Sequence, residues 1–184
     1  MYVRVISGKH KGKKLEGFNI EGTRPTMDRV KESLFGSIQN YIKNSVVLDL
    51  FAGSGSLGIE TLSNGANACY FVDKNKEIVK VLEKNLKGIE NFHILKLDYL
   101  KALEYFKDNN MKFDLIFIDP PYKLKLINNS IKKIQEYDLL NEDGIIICEY
   151  ENEVIDCNLE LIKEKKYGTT YIKIYKNNMN NKVK

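Results

Sequence analysis

The sequence has 184 residues and a mass of 21.3 kDa, a length that predicts one domain with at most a small appendage. Hydrophobic residues make up 43% and charged residues 29%, so the composition excludes a disordered or collagen-like chain and favours a globular protein with a buried core. The apolar runs are too short to span a membrane, and the first residues do not resemble a signal peptide. We therefore expect a soluble, cytoplasmic protein.

Cysteine and histidine usage gives no sign of a metal or disulfide site. Cys69, Cys148 and Cys157 are odd in number and lack C-x-x-C spacing, and His10 and His93 lie far apart in the sequence. The sequence therefore predicts reduced, packed thiols and no bound metal.

Positive charge is concentrated at the start of the chain. Residues 1–31 contain eight Lys or Arg against three acids, whereas the other 153 residues contain 21 basic and 22 acidic residues. All three arginines of the protein lie in this segment, and the arginine guanidinium binds phosphates and bases with a planar geometry that lysine lacks. The segment is therefore a candidate nucleic-acid surface, with a solvated protein edge as the alternative.

The first 45 residues are predicted to form a hairpin followed by a helix. Val3–Ser7 and Lys13–Phe18 alternate weakly around a turn at Gly8–Gly12, which is typical of two short antiparallel strands. A helix is expected from Thr26, a plausible N-cap, because apolar residues recur at helical spacing. These apolar positions are Met27, Val30, Leu34, Ile38 and Ile42.

The rest of the chain alternates between short apolar runs and helix-length segments, which indicates a parallel sheet covered on both faces. The predicted parallel strands are Val46–Leu50, Ala68–Val72, Phe92–Lys96, Phe113–Ile118 and Ile145–Glu149. Four helices are predicted between these strands. The first begins near Ser56, the second carries Ile78, Leu82 and Leu86, the third begins at Tyr99, and the fourth runs near Leu126–Tyr137. Leu159–Lys165 and Thr170–Tyr175, joined through Tyr167-Gly168, are predicted to close the edge as an antiparallel pair.

The expected fold class is thus α/β, a doubly wound, Rossmann-like sheet that is mostly parallel, with an antiparallel C-terminal edge and a small N-terminal hairpin-helix extension. The expected division is an extension over residues 1–45, a main domain over residues 46–176 and a disordered tail over residues 177–184.

A glycine loop directly follows the first parallel strand. Gly53, Gly55 and Gly58 satisfy G-x-G-x-x-G, in which glycines allow a tight turn and let a ligand approach the backbone at a helix N-terminus. Asp73 follows the second strand 20 residues after Gly53, where a carboxylate can accept from the two hydroxyls of a ribose. Strand, loop, helix and acid together predict a nucleoside cofactor, either NAD or another adenosine-bearing molecule.

Two further aspartates bear on that choice. Asp49 ends the first strand just before the loop, where a carboxylate would repel a pyrophosphate but attract a cationic amino group, so a dinucleotide is disfavoured. Asp98 follows the third strand and precedes Tyr99, so it is placed to accept from an adenine amino group, and it is also a candidate helix N-cap.

The fourth strand ends in Asp119-Pro120-Pro121-Tyr122, at the sheet edge where such folds bind ligands. Consecutive prolines have no N–H, so their backbone presents only carbonyl acceptors. With Asp119 they would hold an amino group by its two hydrogens, and Tyr122 would offer a flat face for stacking a base. The alternative interpretation is that Asp-Pro-Pro only ends the strand and begins a loop.

These motifs resemble the S-adenosylmethionine-dependent amino methyltransferases, and the whole chain is similar to the RsmD-type bacterial 16S ribosomal RNA (guanine-N2)-methyltransferase family. The segments that carry the resemblance are Arg4–Gly8, Lys11–Leu15, Arg24–Phe35, Leu48–Glu60 and Asp119–Tyr122. The resemblance implies methyl transfer to the exocyclic 2-amino group of a guanine in 16S ribosomal RNA, alone or within an assembling small ribosomal subunit.

The resemblance also assigns roles to residues. It implies that Asp49, Gly53 and Gly55 hold the methionine end of S-adenosylmethionine, Asp73 its ribose and Asp98 its adenine, while Asp119 and Tyr122 hold the guanine. The full cofactor set is Asp49, Phe51, Gly53, Ser54, Gly55, Asp73, Lys74, Asp98 and Tyr99, and the catalytic set is Asp119, Pro120, Pro121 and Tyr122. The expected RNA contacts are Arg4, Lys9, Lys11, Lys13, Lys14, Arg24, Thr26 and Arg29.

Three other functions remain open on the sequence. A DNA or other RNA adenine methyltransferase shares the Asp-Pro-Pro-Tyr motif, although the DNA enzymes normally carry a separate target-recognition region that this chain has no room for. Protein glutamine methyltransferases typically have Asn in place of Asp119. A cofactor-binding RNA-binding protein without activity is the alternative from a different functional class.

Overall fold

The computed structural model describes residues 2–17 and 28–178, without the side chains of Tyr2 and Tyr122. The N-terminal hairpin pairs β1 (Tyr2–Arg4) with β2 (Lys14–Glu16), as predicted but with shorter strands. Helix α1 spans Asp28–Ile42 and confirms the predicted apolar spacing, whereas the proposed N-cap Thr26 lies outside the described residues.

The remaining elements follow the predicted alternation. After α1 come β3 (Val46–Asp49), α2 (Ser56–Ser63), β4 (Ala68–Val72), α3 (Lys76–Asn85), β5 (Phe92–Leu95), α4 (Tyr99–Asp108), β6 (Phe113–Ile118), α5 (Ile127–Glu136), β7 (Leu140–Tyr150), β8 (Glu160–Tyr167) and β9 (Thr170–Lys176). Strand β7 starts five residues before the predicted Ile145, because Leu140 pairs with Phe113 across a polar stretch that hides the strand pattern.

Seven of these strands form one sheet in the order β5-β4-β3-β6-β7-β9-β8. Strands β3 to β7 are parallel, and β9 runs antiparallel to both β7 and β8. The predicted fold class, a mostly parallel sheet with an antiparallel C-terminal edge, is therefore confirmed.

Neighbouring strand residues point to opposite sides of the sheet, so these apolar strands present apolar side chains on both faces. Helices cover both faces. Val47 and Leu115 pack on the face covered by α1, α2 and α3, whereas Leu48 and Ile116 pack on the face covered by α4 and α5. The N-terminal hairpin adds Val5 to the first of these two cores. The hairpin and the sheet therefore share one hydrophobic core.

A buried ion pair fastens the N-terminal hairpin to α1 and α2. Lys31 and Glu60 are both 0% exposed, and Lys31 Nζ lies 2.9 Å from a Glu60 carboxylate oxygen. Lys31 also donates to the carbonyl of Arg4, while Glu60 accepts from the backbone N–H groups of Ile6 and Ser7. A buried charge pair is tolerated only when its remaining valences are satisfied, so these backbone bonds are part of what holds the hairpin in place.

At the other end of the chain, Asn177 continues the sheet although the sequence placed it in the disordered tail. Its backbone N–H donates to the carbonyl of Gly144, and its carbonyl accepts from Asp143. Residues 179–184 of the predicted tail lie outside the described residues.

Candidate cofactor and substrate site

The sequence-predicted site residues follow the carboxyl ends of four adjacent parallel strands. The glycine loop follows β3, Asp73 follows β4, Asp98 follows β5, and Asp119 follows β6. Since all four strands are parallel, their carboxyl ends share one edge of the sheet. The fold therefore brings these residues, which span 67 positions of sequence from Gly53 to Asp119, to one place.

The glycine loop needs its glycines for two different reasons. Gly53 and Gly55 have φ values of 55° and 82°, the left-handed region in which a side chain is strained. A Cβ on Gly55 would also lie 2.5 Å from Cδ1 of Leu82 on α3. Gly58 instead sits where a Cβ would overlap the Phe71 ring, so it allows α2 to pack closely on β4.

Asp73 links β4 to the glycine loop. One carboxylate oxygen accepts from the backbone N–H of Gly53 at 3.2 Å, and the other accepts from that of Asn75 at 2.9 Å. Burial raises the pKa of Asp73, while these two N–H donors and the adjacent Lys74 oppose the increase. The side chain is half-buried, so its remaining lone pairs can accept from the hydroxyls of a ligand beside the loop.

Asp49 is a buried carboxylate beneath the same loop. It is 2% exposed and accepts from the backbone N–H of Gly58 at 3.1 Å. Burial, reinforced by the charge of Asp73 and opposed by the Gly58 N–H, raises its pKa to about 7. A cationic group next to Asp49 would favour its ionised form, which fits the predicted role.

Asp119 lies beside a second buried acid that the sequence did not reveal. Ile118 of β6 pairs with Cys148 of β7, so Asp119 and Glu149 follow at corresponding positions on adjacent strands. Burial, followed by the nearby charges of Glu149 and Asp49, raises the pKa of Asp119 well above its usual value. Three carboxyl groups therefore lie close together at this edge of the sheet, a place called the pocket below, and their combined charge favours a cationic ligand.

The two prolines after Asp119 differ in their surroundings. Pro120 is buried, whereas Pro121 is exposed and its carbonyl accepts from the backbone N–H of Leu124 in a single 3-10 turn, Tyr122–Leu124. The carbonyl of Pro120 is thus the better candidate acceptor for an amino group. The side chain of Tyr122, predicted to stack on a base, lies outside the described residues.

Asp98 fills the structural role that the sequence left open. It is the N-cap of α4, and a carboxylate oxygen accepts from the backbone N–H of Leu100 at 3.0 Å. The neighbouring Tyr99 ring packs against Phe51 at a centroid distance of 5.3 Å, and its hydroxyl accepts from the side-chain amide of Asn129. Phe51 and Tyr99 form an aromatic wall beside the loop. Because the N-cap hydrogen bond uses one carboxylate oxygen of Asp98, the other oxygen is the candidate acceptor for an adenine amino group.

Two residues that the sequence analysis did not select complete the loop. Ser56, at the start of α2, has a buried hydroxyl with no hydrogen-bond partner among the described residues. Asn85 at the end of α3 is 3% exposed and donates to the carbonyl of Ser54, while also bonding the backbone N–H and carbonyl of Glu16. Asn85 therefore ties the glycine loop to the end of the N-terminal hairpin.

The hairpin residues among those predicted for RNA binding are spread along the hairpin rather than gathered at the pocket. Asn85 contacts both Glu16 and the glycine loop, so the Glu16 end of the hairpin lies near the loop. The backbone N–H of Lys9 instead donates to the carbonyl of Ser63 at the other end of α2, about 12 Å from the loop end of that helix by helix rise. Lys9 also approaches Glu90 at 3.8 Å, and Lys13 donates to the carbonyl of Lys87. The charged side chains of Arg4, Lys11, Lys14 and Arg29 are exposed, and Arg24 and Thr26 lie outside the described residues.

Residues 2–17 and 28–178 contain neither a candidate metal centre nor a helix that could span a membrane. No group of three or more His, Cys, Asp and Glu side chains in these ranges could hold a metal ion. None of the helices in the same ranges is long and apolar enough to cross a membrane.

Comparison with known proteins gives a family for this site. The family described as Conserved hypothetical protein 95 matches residues 3–176. Ribosomal RNA small subunit methyltransferase D of Haemophilus influenzae is 38% identical over 185 residues, covering 95% of this chain and 94% of that protein. YlbH of Bacillus subtilis is 40% identical over 181 residues, covering 95% and 98%.

A solved structure agrees with the sequence relatives. The structure of yhhF from Escherichia coli superposes with a TM-score of 0.81 at 29% identity, covering 97% of this chain and 99% of that one. The family match and the relatives extend over nearly the whole chain. The matched range therefore includes the N-terminal hairpin, the glycine loop and the Asp-Pro-Pro-Tyr motif. The chain therefore belongs to the family of Conserved hypothetical protein 95, the RsmD family of methyltransferases that its motifs resemble.

Proposed function

We propose that this protein transfers a methyl group from S-adenosylmethionine to the exocyclic 2-amino group of a guanine in small-subunit ribosomal RNA, in the cytoplasm. The observation that carries the proposal is the convergence of Asp49 and Asp119 at one edge of the sheet, which places a predicted cofactor loop beside a predicted amino-group cradle. The names of the Haemophilus influenzae and Escherichia coli relatives, both ribosomal RNA small subunit methyltransferase D, support the RNA substrate.

The residues of the pocket fit this cofactor. S-adenosylmethionine carries an ammonium and a sulfonium, and the pocket offers the buried carboxyl groups of Asp49 and Glu149 and the partly exposed one of Asp119. Its carboxylate would lie near the Ser56 hydroxyl, which has no hydrogen-bond partner in the part of the chain that the structure describes, at the N-terminal end of α2, where the helix dipole favours an anion. Asp73 would accept from the ribose hydroxyls, since its two oxygens keep lone pairs beyond those used by Gly53 and Asn75.

When bound, the cofactor supplies an electrophilic methyl group on a positively charged sulfur. The exocyclic amino group of guanine is a weak nucleophile because its lone pair is delocalised into the ring. Asp119 and the carbonyl of Pro120 would accept its two N–H bonds and orient the lone pair for in-line attack. The amino nitrogen would bond to the methyl carbon as the sulfur–carbon bond breaks, and Asp119 or water would take the proton that the nitrogen releases.

The electrostatics of Asp119 suit this proton transfer. In the free protein, burial and the charges of Glu149 and Asp49 raise its pKa, so the carboxyl group has a higher proton affinity than an exposed aspartate. A cation in the pocket favours its ionised form before the reaction. Methyl transfer would move the positive charge from the sulfur to the amino nitrogen beside Asp119, and the nitrogen would lose this charge by giving its proton to Asp119 or water.

The experiment compares the parent with Asp119→Ala, using S-adenosylmethionine labelled on the methyl group. Separate samples contain small-subunit ribosomal RNA, large-subunit ribosomal RNA, DNA and protein, and nuclease digestion with mass spectrometry identifies the methylated nucleoside. We expect N2-methylguanosine only from small-subunit RNA, and a rate about 10² to 10⁴-fold lower for Asp119→Ala. Asp108→Ala, at the exposed end of α4, is the matched control.

Three results would overturn the proposal. Label in DNA or protein would assign another substrate, and label on an adenine would assign another base. An Asp119→Ala variant that binds cofactor and methylates as fast as the Asp108→Ala control would remove Asp119 from the mechanism.

A further inference from the structure

The C-terminal hairpin of β8 and β9 carries a concentration of positive charge that the linear charge count concealed. Residues 160–176 contain five lysines and two glutamates, a surplus of three in a chain whose net charge is +4. Residues 32–159 are acidic enough to cancel this surplus, so the last 153 residues are nearly neutral when counted together. In three dimensions, however, the hairpin is one continuous structure at the edge of the sheet.

The turn of this hairpin lies at the same edge as the pocket. Tyr171 of β9 pairs with Tyr150, the last residue of β7, so the turn at Gly168 projects beyond the carboxyl end of β7. The hydroxyl of Thr169 in the turn donates to Glu151 at 3.1 Å. In the sheet order β3-β6-β7-β9-β8, Asp119 and Glu149 belong to β6 and β7, and the hairpin lies beyond β7. The turn therefore lies on the side of the pocket away from the glycine loop, which follows β3.

Helix α1 meets the hairpin at this edge through Ser33. Lys165 Nζ lies 2.6 Å from the Ser33 hydroxyl, and the Tyr167 hydroxyl lies 2.5 Å from the same oxygen. The C-terminal end of α1 leads into the start of β3 at the opposite edge, so α1 begins on the pocket side. Arg29 is exposed one helical turn before Ser33, on the same face of α1.

The two lysines nearest the turn differ in exposure, because Lys165 is half-buried with its ammonium bound to Ser33 whereas Lys166 is exposed. Among the residues that the structure describes, Lys165 and Lys166 form no ion pair, whereas Lys173 pairs with Glu164 and Lys176 with Asp143. Lys166 is exposed, and its ammonium lies 5.0 Å from the centre of the Tyr171 ring. Fixed cations beside aromatic rings are the combination that binds single-stranded nucleic acid, since lysines contact phosphates and rings stack on bases.

We propose that Arg29 on α1 and Lys165, Lys166 and Tyr167 on the C-terminal hairpin form an RNA-docking surface beside the methylation pocket. The inference deepens the proposed function by naming a surface for its RNA substrate, and it rests on that function. Lys165 lies on the face of β8 that meets α1 and Lys166 lies on the opposite face, so the two lysines contact phosphates of an RNA strand that passes around the end of the hairpin, and Ser33 fixes Lys165 and Tyr167 relative to Arg29. The surface extends the RNA-binding region predicted from the N-terminal charge to the other end of the chain.

The test compares two double variants of the full-length protein. Lys165→Gln with Lys166→Gln removes two charges but keeps hydrogen-bonding side chains, and Lys43→Gln with Lys107→Gln makes the same change at two exposed lysines near the opposite sheet edge. Fluorescence anisotropy measures the affinity for a labelled single-stranded RNA of mixed sequence over a range of salt concentrations. Melting temperature and S-adenosylmethionine affinity are measured in parallel.

We expect the log–log salt slope to fall by about 1.4 for the hairpin variant, at roughly 0.7 per phosphate contact, and to stay unchanged for the control. The same relation gives an affinity loss of about tenfold at 0.15 M salt. Ser33→Ala, which keeps both lysine charges, should retain the parent slope. Methylation by the hairpin variant should show a raised KM for ribosomal RNA with little change in kcat.

Two outcomes would overturn the inference: equal slopes for the hairpin variant and the control, or an equal loss in Ser33→Ala, which would make the contact purely structural. Failure of the proposed function is distinguishable, because it appears as absent guanine methylation in the parent protein. The salt slope is measured without the reaction and gives its result in either case.

Discussion

Asp49→Asn is expected to stabilise the protein at neutral pH and to weaken cofactor binding. Asp49 is 2% exposed, and burial is the main cause that raises its pKa from 3.8 to about 7. Asparagine is nearly the same size and can still accept the Gly58 N–H. The substitution therefore removes the ionisation of this site while changing its packing little.

The magnitude follows from proton linkage. Because the folded pKa is raised, the folded state holds a proton that the unfolded state releases, and stability falls as pH rises from about 4 to about 7. A difference of about 3 in pKa corresponds to about 4 kcal/mol as an upper limit, at about 1.4 kcal/mol for each factor of ten in the proton-binding constant. Asp49→Asn should recover up to this amount at pH 8 and almost none at pH 4.

Cofactor binding should change in the opposite direction. Loss of a charge-assisted hydrogen bond to the cationic amino group costs about 1.5 to 3 kcal/mol, or about 10 to 150-fold in affinity. In the parent protein, affinity should rise by up to about tenfold per pH unit below pH 7 and level off above it, because Asp49 must lose its proton to bind a cation. The Asn variant should lack this dependence.

Urea denaturation and calorimetric titration with S-adenosylmethionine, each from pH 4 to pH 8, measure both effects. Asp108→Asn makes the same chemical change at the exposed last residue of α4 and should leave both curves unchanged. A variant that is less stable than the parent at pH 8, or that binds cofactor with the parent's affinity and pH dependence, would refute this reasoning.

Three further changes test other parts of the site. Asp73→Ala should weaken cofactor binding by about 1.5 to 3 kcal/mol in calorimetry, and equal affinity would remove it from the ribose site. Gly55→Ala should lower the free energy of unfolding by about 1 to 3 kcal/mol, since its φ is 82° and its Cβ would crowd Leu82; unchanged urea denaturation would contradict the strain. Lys31→Met should cost about 3 to 5 kcal/mol by leaving the Glu60 charge buried, and a variant as stable as the parent would show that the ion pair is dispensable.

The sequence alone determined the element types and the residues at the strand ends. Strands Ala68–Val72 and Phe113–Ile118 have the predicted bounds, because a strand buried on both faces reads as an uninterrupted apolar run. Asp73 and Asp119 could be selected as candidate site residues for a related reason. In a parallel sheet, the residue after each strand falls at the same edge, so local order in the chain already predicts proximity.

The tertiary structure alone decided which distant residues meet. Glu149 becomes a neighbour of Asp119 through the β6–β7 register, and Asn85 reaches the carbonyl of Ser54 across 31 residues. Lys165 meets Ser33 across 132 residues, so the basic hairpin joins α1 at the pocket edge. These contacts leave no period or motif in the sequence, because hydrogen bonds and charges act over a few ångströms of space regardless of the length of chain between them.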